Sequence, residues 1–125
     1  EAFREFDLEY CAGLGDREVD ELMGNAGIIR ARAKIEATRS NAAAAIELRA
    51  DGGLTELIES FAPADSPEPA NQAEVPTSSP ESAALAKALR ARGFKFVGPT
   101  NMYALMEAIG MVDTHLVTCF RRDRV

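Results

Sequence analysis

Asn25-Ala-Gly-Ile-Ile29 stands directly ahead of a long helix-forming stretch, and Arg30, Arg32 and Lys34 follow it at once. The expectation is a hairpin in which Gly27 takes a backbone conformation closed to other residues. Its turn would leave amide N–H groups exposed over Gly27, Ile28 and Ile29. Free amides at a helix N-terminus bind phosphate, and three nearby cations add attraction that does not depend on base sequence. The same residues also make an ordinary turn between two helices, and spacing alone does not choose between the two uses.

His115 and Cys119 form a second constellation, an H-x-x-x-C pair whose spacing of four would put an imidazole and a thiol on one helical face. Zinc takes both ligand types, but a structural zinc needs about four ligands in tetrahedral array. Cys11 is the only further thiol, and no other histidine exists. Any remaining ligands would come from Cys11, from carboxylates or from outside this sequence, and the alternative is a packed histidine with a buried cysteine. In the third constellation, Arg92-Gly-Phe-Lys-Phe-Val-Gly-Pro-Thr100, two glycines bracket two aromatics and a lysine. Phe94, Phe96 and Val97 are expected in the core, while Lys95 and the Gly98–Thr100 backbone could face a ligand. Tyr103, one turn beyond Thr100, could wall a pocket or simply pack. No hydrolytic triad, phosphate-binding loop or dinucleotide glycine pattern occurs.

These residues need helices to hold them. Asp16 is expected to cap a short helix ending near Met23, and apolar Ile28, Ile35, Ala42 and Ile46 place a long helix from Ile28 to about Arg49. Leu54, Leu57, Ile58 and Phe61 give another short one, and prolines 63, 67, 69 and 76 impose a long loop over about 62–79. Ser78 or Ser79 should cap a helix beginning at Pro80 and stopped by Gly93. Thr100 should cap a helix over Asn101–Ile109, with Gly110 as its stop, and Asp113 should begin a last short helical segment. Phe3, Phe6 and Leu8 look like the end of a helix, and with no initiator Met the expectation is that material lies upstream. No alternating strand pair appears, so the fold class is all-α.

With 125 residues and 46% hydrophobic content, a single core is expected. No apolar run approaches a membrane span, and no leader opens the chain, which favours a soluble protein of the cell interior. The net charge of −6 argues against nucleic acid, yet it is unevenly spread. Residues 85–125 hold seven basic and three acidic groups, a net +4, so one basic face on an acidic protein is permitted.

Taken in order, these segments resemble one family, the DNA-3-methyladenine glycosylases of type I. Asn25-Ala-Gly-Ile-Ile-Arg-Ala-Arg-Ala-Lys-Ile35 is similar to its D-A-G-I-I-R-x-R-x-K-I hairpin, and Ile58-Glu-Ser-Phe61 to its Trp-Ser-Phe block with Glu59 in place of the tryptophan. Val75-Pro-Thr77, Ala86-Lys-Ala-Leu89, Arg92–Thr100 and Gly110-Met-Val-Asp-Thr-His115-Leu-Val-Thr-Cys119 follow in the family's order.

The resemblance implies a monofunctional glycosylase of the helix-hairpin-helix superfamily that removes 3-methyladenine from alkylated double-stranded DNA, monomeric when intact. It implies one helical domain over 1–125, with the helix-hairpin-helix at about 16–50 and half a zinc site in the segment at about 110–125. His115 and Cys119 become two of four ligands to a structural zinc. Gly27, Ile28, Ile29, Arg30, Arg32 and Lys34 become DNA-backbone contacts, and Thr100 and Tyr103 a wall of the base pocket. In the family the other two zinc ligands and the base-recognition residues lie nearer the N-terminus. The chain therefore resembles an N-terminally truncated member, inactive by itself and with no catalytic acid or base of its own. Two other readings compete: a non-catalytic helix-hairpin-helix DNA-binding module, and an all-α protein-interaction domain favoured by the overall acidity.

Overall fold

Leu8–Ala12 (α1), Asp16–Leu22 (α2), Arg32–Leu48 (α3), Gly53–Glu59 (α4), Pro80–Ala91 (α5) and Pro99–Ala108 (α6) are the α-helices of a computed structural model that describes residues 1–124. Short 3-10 turns lie at Arg4–Phe6, Arg49–Asp51 and Gln72–Glu74, and no strand occurs among the described residues. The fold is all-α. The chain divides into two compact units, one of Glu1–Leu54 with Arg90–Phe96, the other of Thr55–Leu89 with Val97–Val125.

In the first unit α3 is the central element. Ile35, Ala42, Ala45 and Leu48 recur along one buried side of it, with small alanines that let neighbours approach closely. Ile35 joins Leu14, Val19 and Leu22 in a cluster against which Phe3, Tyr10, Met23 and Ile28 pack. The N-terminal stretch is not the end of a helix. Arg4, Glu5 and Phe6 have φ of 46°, 57° and 60°, and a new helix, α1, starts after Asp7, whose Oδ1 accepts from the Tyr10 amide at 2.8 Å. That cap ends one element and opens the next, and α1 buries Cys11 to 1% exposure.

Two further starts differ from expectation. Asp16 lies inside α2, where Gly15 is the cap and its amide donates to Glu18 Oε2 at 3.1 Å. α3 begins at Arg32 rather than Ile28, because Ile28 to Ala31 are spent on the preceding turn.

In the second unit, α5 opens on a reciprocal pair: the Ser82 amide donates to Ser79 Oγ at 3.1 Å and the Ser79 amide to Ser82 Oγ at 2.9 Å. Leu85, Ala86 and Leu89 form its buried face. α6 is capped not by Thr100 but by Gly98, with Pro99 as its first residue, where a missing N–H costs nothing. Met102, Tyr103 and Met106 face inward from it. Beyond α6 no helix follows among the described residues. Gly110, at φ 79°, turns the chain, and residues 113–124 run as an irregular segment with turns at 117–118 and 120–123. The reason is local: Asp113 Oδ1 accepts from the His115 amide at 3.0 Å and Oδ2 from the Asp123 amide at 2.7 Å, which offers the backbone partners that a helix would have supplied. No helix among the described residues is long and apolar enough to cross a membrane.

Candidate functional site

The hairpin between α2 and α3 is built on Asn25. Its Oδ1 accepts from the Gly27 amide at 2.8 Å, and its carbonyl accepts from the Ile28 amide at 3.4 Å. Gly27 is not left-handed, contrary to expectation. Room is tight there: a Cβ would come 3.0 Å from Asn25 Oδ1 and press on the bond that shapes the turn. The Gly27 and Ile28 amides are thus engaged within the turn, whereas those of Ile29, Arg30, Arg32 and Ala33 have no hydrogen-bond partner among the described residues. Ile29 is 83% exposed at the tip, and Ile28 packs beneath it on the core. An outward N-terminus of a 17-residue helix is competent for an anion.

The three cations of the hairpin differ in state. Arg32 is held by Asp20 and lies 3.7 Å from Glu36, and these partners push its pKa up. Its charge is spent within the protein. Arg30 and Lys34 are exposed, and their side chains have no partner among the described residues.

His115 and Cys119, although not on a helix, line one cavity of about 360 Å³ with Gln72, Val75, Glu107, Thr114 and Leu116. The His115 ring is oriented by a carboxylate, its Nδ1 lying 2.7 Å from Asp113 Oδ1. Asp113 is buried rather than a solvated helix cap. Hydrogen bonds from the Asp123 and His115 amides, reinforced by the imidazole, hold its pKa down at about 2. Glu107 likewise has a partner, accepting from Thr114 Oγ1 at 2.8 Å. Arg122 ties this segment together, donating to the His115 carbonyl at 2.7 Å and to the Pro67 carbonyl at 3.0 Å.

A carboxylate-oriented imidazole and a thiol on one cavity are donor types that a structural zinc site uses. Among the described residues, no group of three or more histidines, cysteines and carboxylates is arranged to hold a metal ion. Cys11 sits in the first unit with its thiol 3.7 Å from the Phe3 carbonyl, and burial pushes its pKa up, as for a packed cysteine.

Tyr103 is 2% exposed and lines a cavity of about 340 Å³ between the proline-rich loop and α5, with Pro63, Ser66, Pro76, Glu81 and Met106 on its walls. Burial, with the negative charges of Glu107 and Glu81 adding to it, raises its pKa. Thr100 is exposed and is not among the residues lining this cavity. In the Arg92–Thr100 segment, Phe94 is core as expected, but Phe96 is 56% exposed at φ 59°. Sequence reasoning missed Asn41, whose side chain holds Lys95, because the two lie 54 residues apart. It also missed Asp113 as the organiser of the His115 segment.

A family model described as methyladenine glycosylase matches residues 1–122. The chain is 39% identical over 120 residues to DNA-3-methyladenine glycosylase 1 of Escherichia coli (strain K12), covering 94% of this chain and 64% of that protein. It is 41% identical over 123 residues to DNA-3-methyladenine glycosylase of Haemophilus influenzae, covering 95% and 66%. Among solved structures it is similar to a crystal structure of 3-methyladenine DNA glycosylase I, with a TM-score of 0.89 at 41% identity, covering 95% of this chain and 67% of that one. A Staphylococcus aureus structure described as the basis of 3-methyladenine recognition superposes with a TM-score of 0.87 at 28% identity, covering 95% and 65%. The chain spans about two thirds of the length of these relatives.

Proposed function

The chain belongs to the methyladenine glycosylase family, and on that premise we propose that it serves in hydrolysis of the N-glycosidic bond of 3-methyladenine in alkylated double-stranded DNA, a base-excision repair step inside the cell. Methylation at N3 makes the adenine cationic and weakens its glycosidic bond. Flipping, desolvation and a fitted pocket can therefore supply much of the acceleration, with water as the nucleophile. Little acid–base machinery is needed, and none is assigned to these residues. Release of the base requires, besides these 125 residues, the further third of the length that the relatives have.

The observation that carries the reading is the hairpin. Outward amides at Ile29, Arg30, Arg32 and Ala33, flanked by the unpaired cations Arg30 and Lys34, form a phosphate grip on a protein whose net charge is −6. Gly27 and Ile28 shape the grip, and Arg32 braces it against Asp20. Tyr103 offers its phenol to the cavity that it lines, and Thr100 the opening of α6. His115 and Cys119 supply half of a tetrahedral zinc site, with Asp113 fixing the imidazole. Zinc bound there would act as a structural clamp with no part in bond breaking. The protein works as a monomer.

Binding to matched duplexes with and without an abasic-site analogue tests this reading. The proposal expects tighter binding to the damaged duplex. Equal, salt-dependent binding to both would instead support a non-catalytic helix-hairpin-helix module, and no binding by the folded protein would favour a protein-interaction domain.

A further inference from the structure

The first unit neutralises most of its own positive charge. Arg17, Arg32, Arg39, Arg49 and Arg92 each hold a carboxylate: Glu21, Asp20, Asp16, Glu9 and Asp51 in turn. Arg4 lies over the Tyr10 ring at 4.3 Å, and Arg90 is engaged as well. Within the unit, only the side chains of Arg30, Lys34 and Lys95 have no ion pair, hydrogen bond or ring contact among the described residues. Two of them belong to the hairpin. The third is 61 residues further on, and the structure brings it to the same helix.

Lys95 is fixed by its backbone. Asn41 Nδ2 donates to the Lys95 carbonyl at 3.0 Å, and the Lys95 amide donates to Asn41 Oδ1 at 2.8 Å. Asn41 follows Lys34 on α3 by two helical turns, on one stripe with Thr38, so the clasp lies about 10 Å along the axis from Lys34. On one side of Lys95, Phe94 is 9% exposed and anchors the turn; on the other, Phe96 is 56% exposed and held at φ 59°. Phe96 thus keeps more than half of its surface in solvent while its backbone holds a conformation that costs a non-glycine residue energy.

We infer that Lys95 and Phe96 form a second contact on duplex DNA, beyond the hairpin. Lys95 binds a backbone phosphate, and Phe96 lays its ring on a sugar or an unstacked base of the same strand. One strand presents a charge about every 3.4 Å of rise, so about 10 Å spans roughly three phosphates and puts Lys34 and Lys95 within reach of one backbone. An aromatic face is tolerant of base identity, which suits an enzyme that must act at any sequence. The inference rests on the hairpin reading given above.

The test is equilibrium binding of a fluorescent 20-base-pair duplex between 50 and 200 mM salt, for the protein and for Lys95→Ala, Phe96→Ala and Lys34→Ala. Lys87→Ala, an exposed lysine of the second unit, is the control. Lys95→Ala is expected to lower the slope of log affinity against log salt by about 0.9, so that its affinity falls roughly 3.5-fold less over that range. Phe96→Ala is expected to weaken binding about fivefold or more with the slope unchanged. Lys87→Ala should match the parent. Neither Lys95 nor Phe96 is buried, and thermal melts of the variants keep a folding defect distinct from a lost contact. If Lys34→Ala lowers the slope while Lys95→Ala and Phe96→Ala behave as the parent, this inference is wrong and the hairpin reading stands. If the folded parent binds no duplex, both fall together.

Discussion

Replacing Arg122 by alanine should cost this protein its His115 segment. Its side chain is 14% exposed, and the guanidinium donates two hydrogen bonds, to the His115 carbonyl at 2.7 Å and to the Pro67 carbonyl at 3.0 Å. Its nearest carboxylate, Glu68 at 3.9 Å, is 80% exposed and adds little. Hydrogen bonds from a charged donor are worth about 1.5–3 kcal/mol each; because the two share one group and water can reach the carbonyls, the loss should total about 2–4 kcal/mol. With an unfolding entropy of ~2.1 cal/mol/K per residue, a chain of 125 residues loses about 4 °C of melting temperature per kcal/mol, so the variant should melt roughly 8–15 °C lower. Arg122→Lys should fall between, since an ammonium on a straight stem can serve one carbonyl well but not both. Thermal unfolding followed by far-ultraviolet circular dichroism measures the shift. If His115 is a zinc ligand, added zinc should recover part of the loss, because binding to the folded state alone stabilises it. Melting of Arg122→Ala within about 1 °C of the parent would refute the bracing role of Arg122.

Three further outcomes are expected. Cys119→Ser should release zinc from the intact protein and lower its stability; unchanged metal content by elemental analysis would refute the ligand assignment. Lys34→Glu should weaken binding to all duplexes alike, damaged or not, as seen by anisotropy titration, whereas a change confined to selectivity for damaged bases would place Lys34 in the pocket. Leu85→Ala, at a position with no exposure, should destabilise by about 2–5 kcal/mol in urea titration with DNA affinity per folded molecule unchanged.

The helices were legible where packing repeats at helical spacing. Ile35, Ala42 and Ile46 located α3, and the serines before Pro80 located the start of α5, because the cap and the side chains it serves are neighbours in sequence. What was hidden depends on distant partners or on which of two local options wins. A spacing of four placed His115 and Cys119 on a helix, but the Asp113 carboxylate captures the amides of His115 and Asp123 and the segment turns instead. His115 and Cys119 still line one cavity, through loop geometry that no periodicity encodes. Sequence suggests a special φ at Gly27, whereas the structure shows a tight approach to Asn25 Oδ1 instead. Its place in the hairpin groups Arg32 with the DNA contacts, and only the fold brings Asp20 against it. The order of the motifs carries more than any one of them: the hairpin, the Arg92–Thr100 block and the His115–Cys119 pair in succession resemble the family's pattern, and the family model matches residues 1–122.

The most direct test of the central claim is release of free 3-methyladenine from methylated duplex DNA, measured for this chain and for a version carrying the remaining third of its relatives' length. Release by the longer protein and none by the 125 residues alone is the predicted result. No release by a folded, zinc-loaded longer protein would contradict the glycosylase assignment.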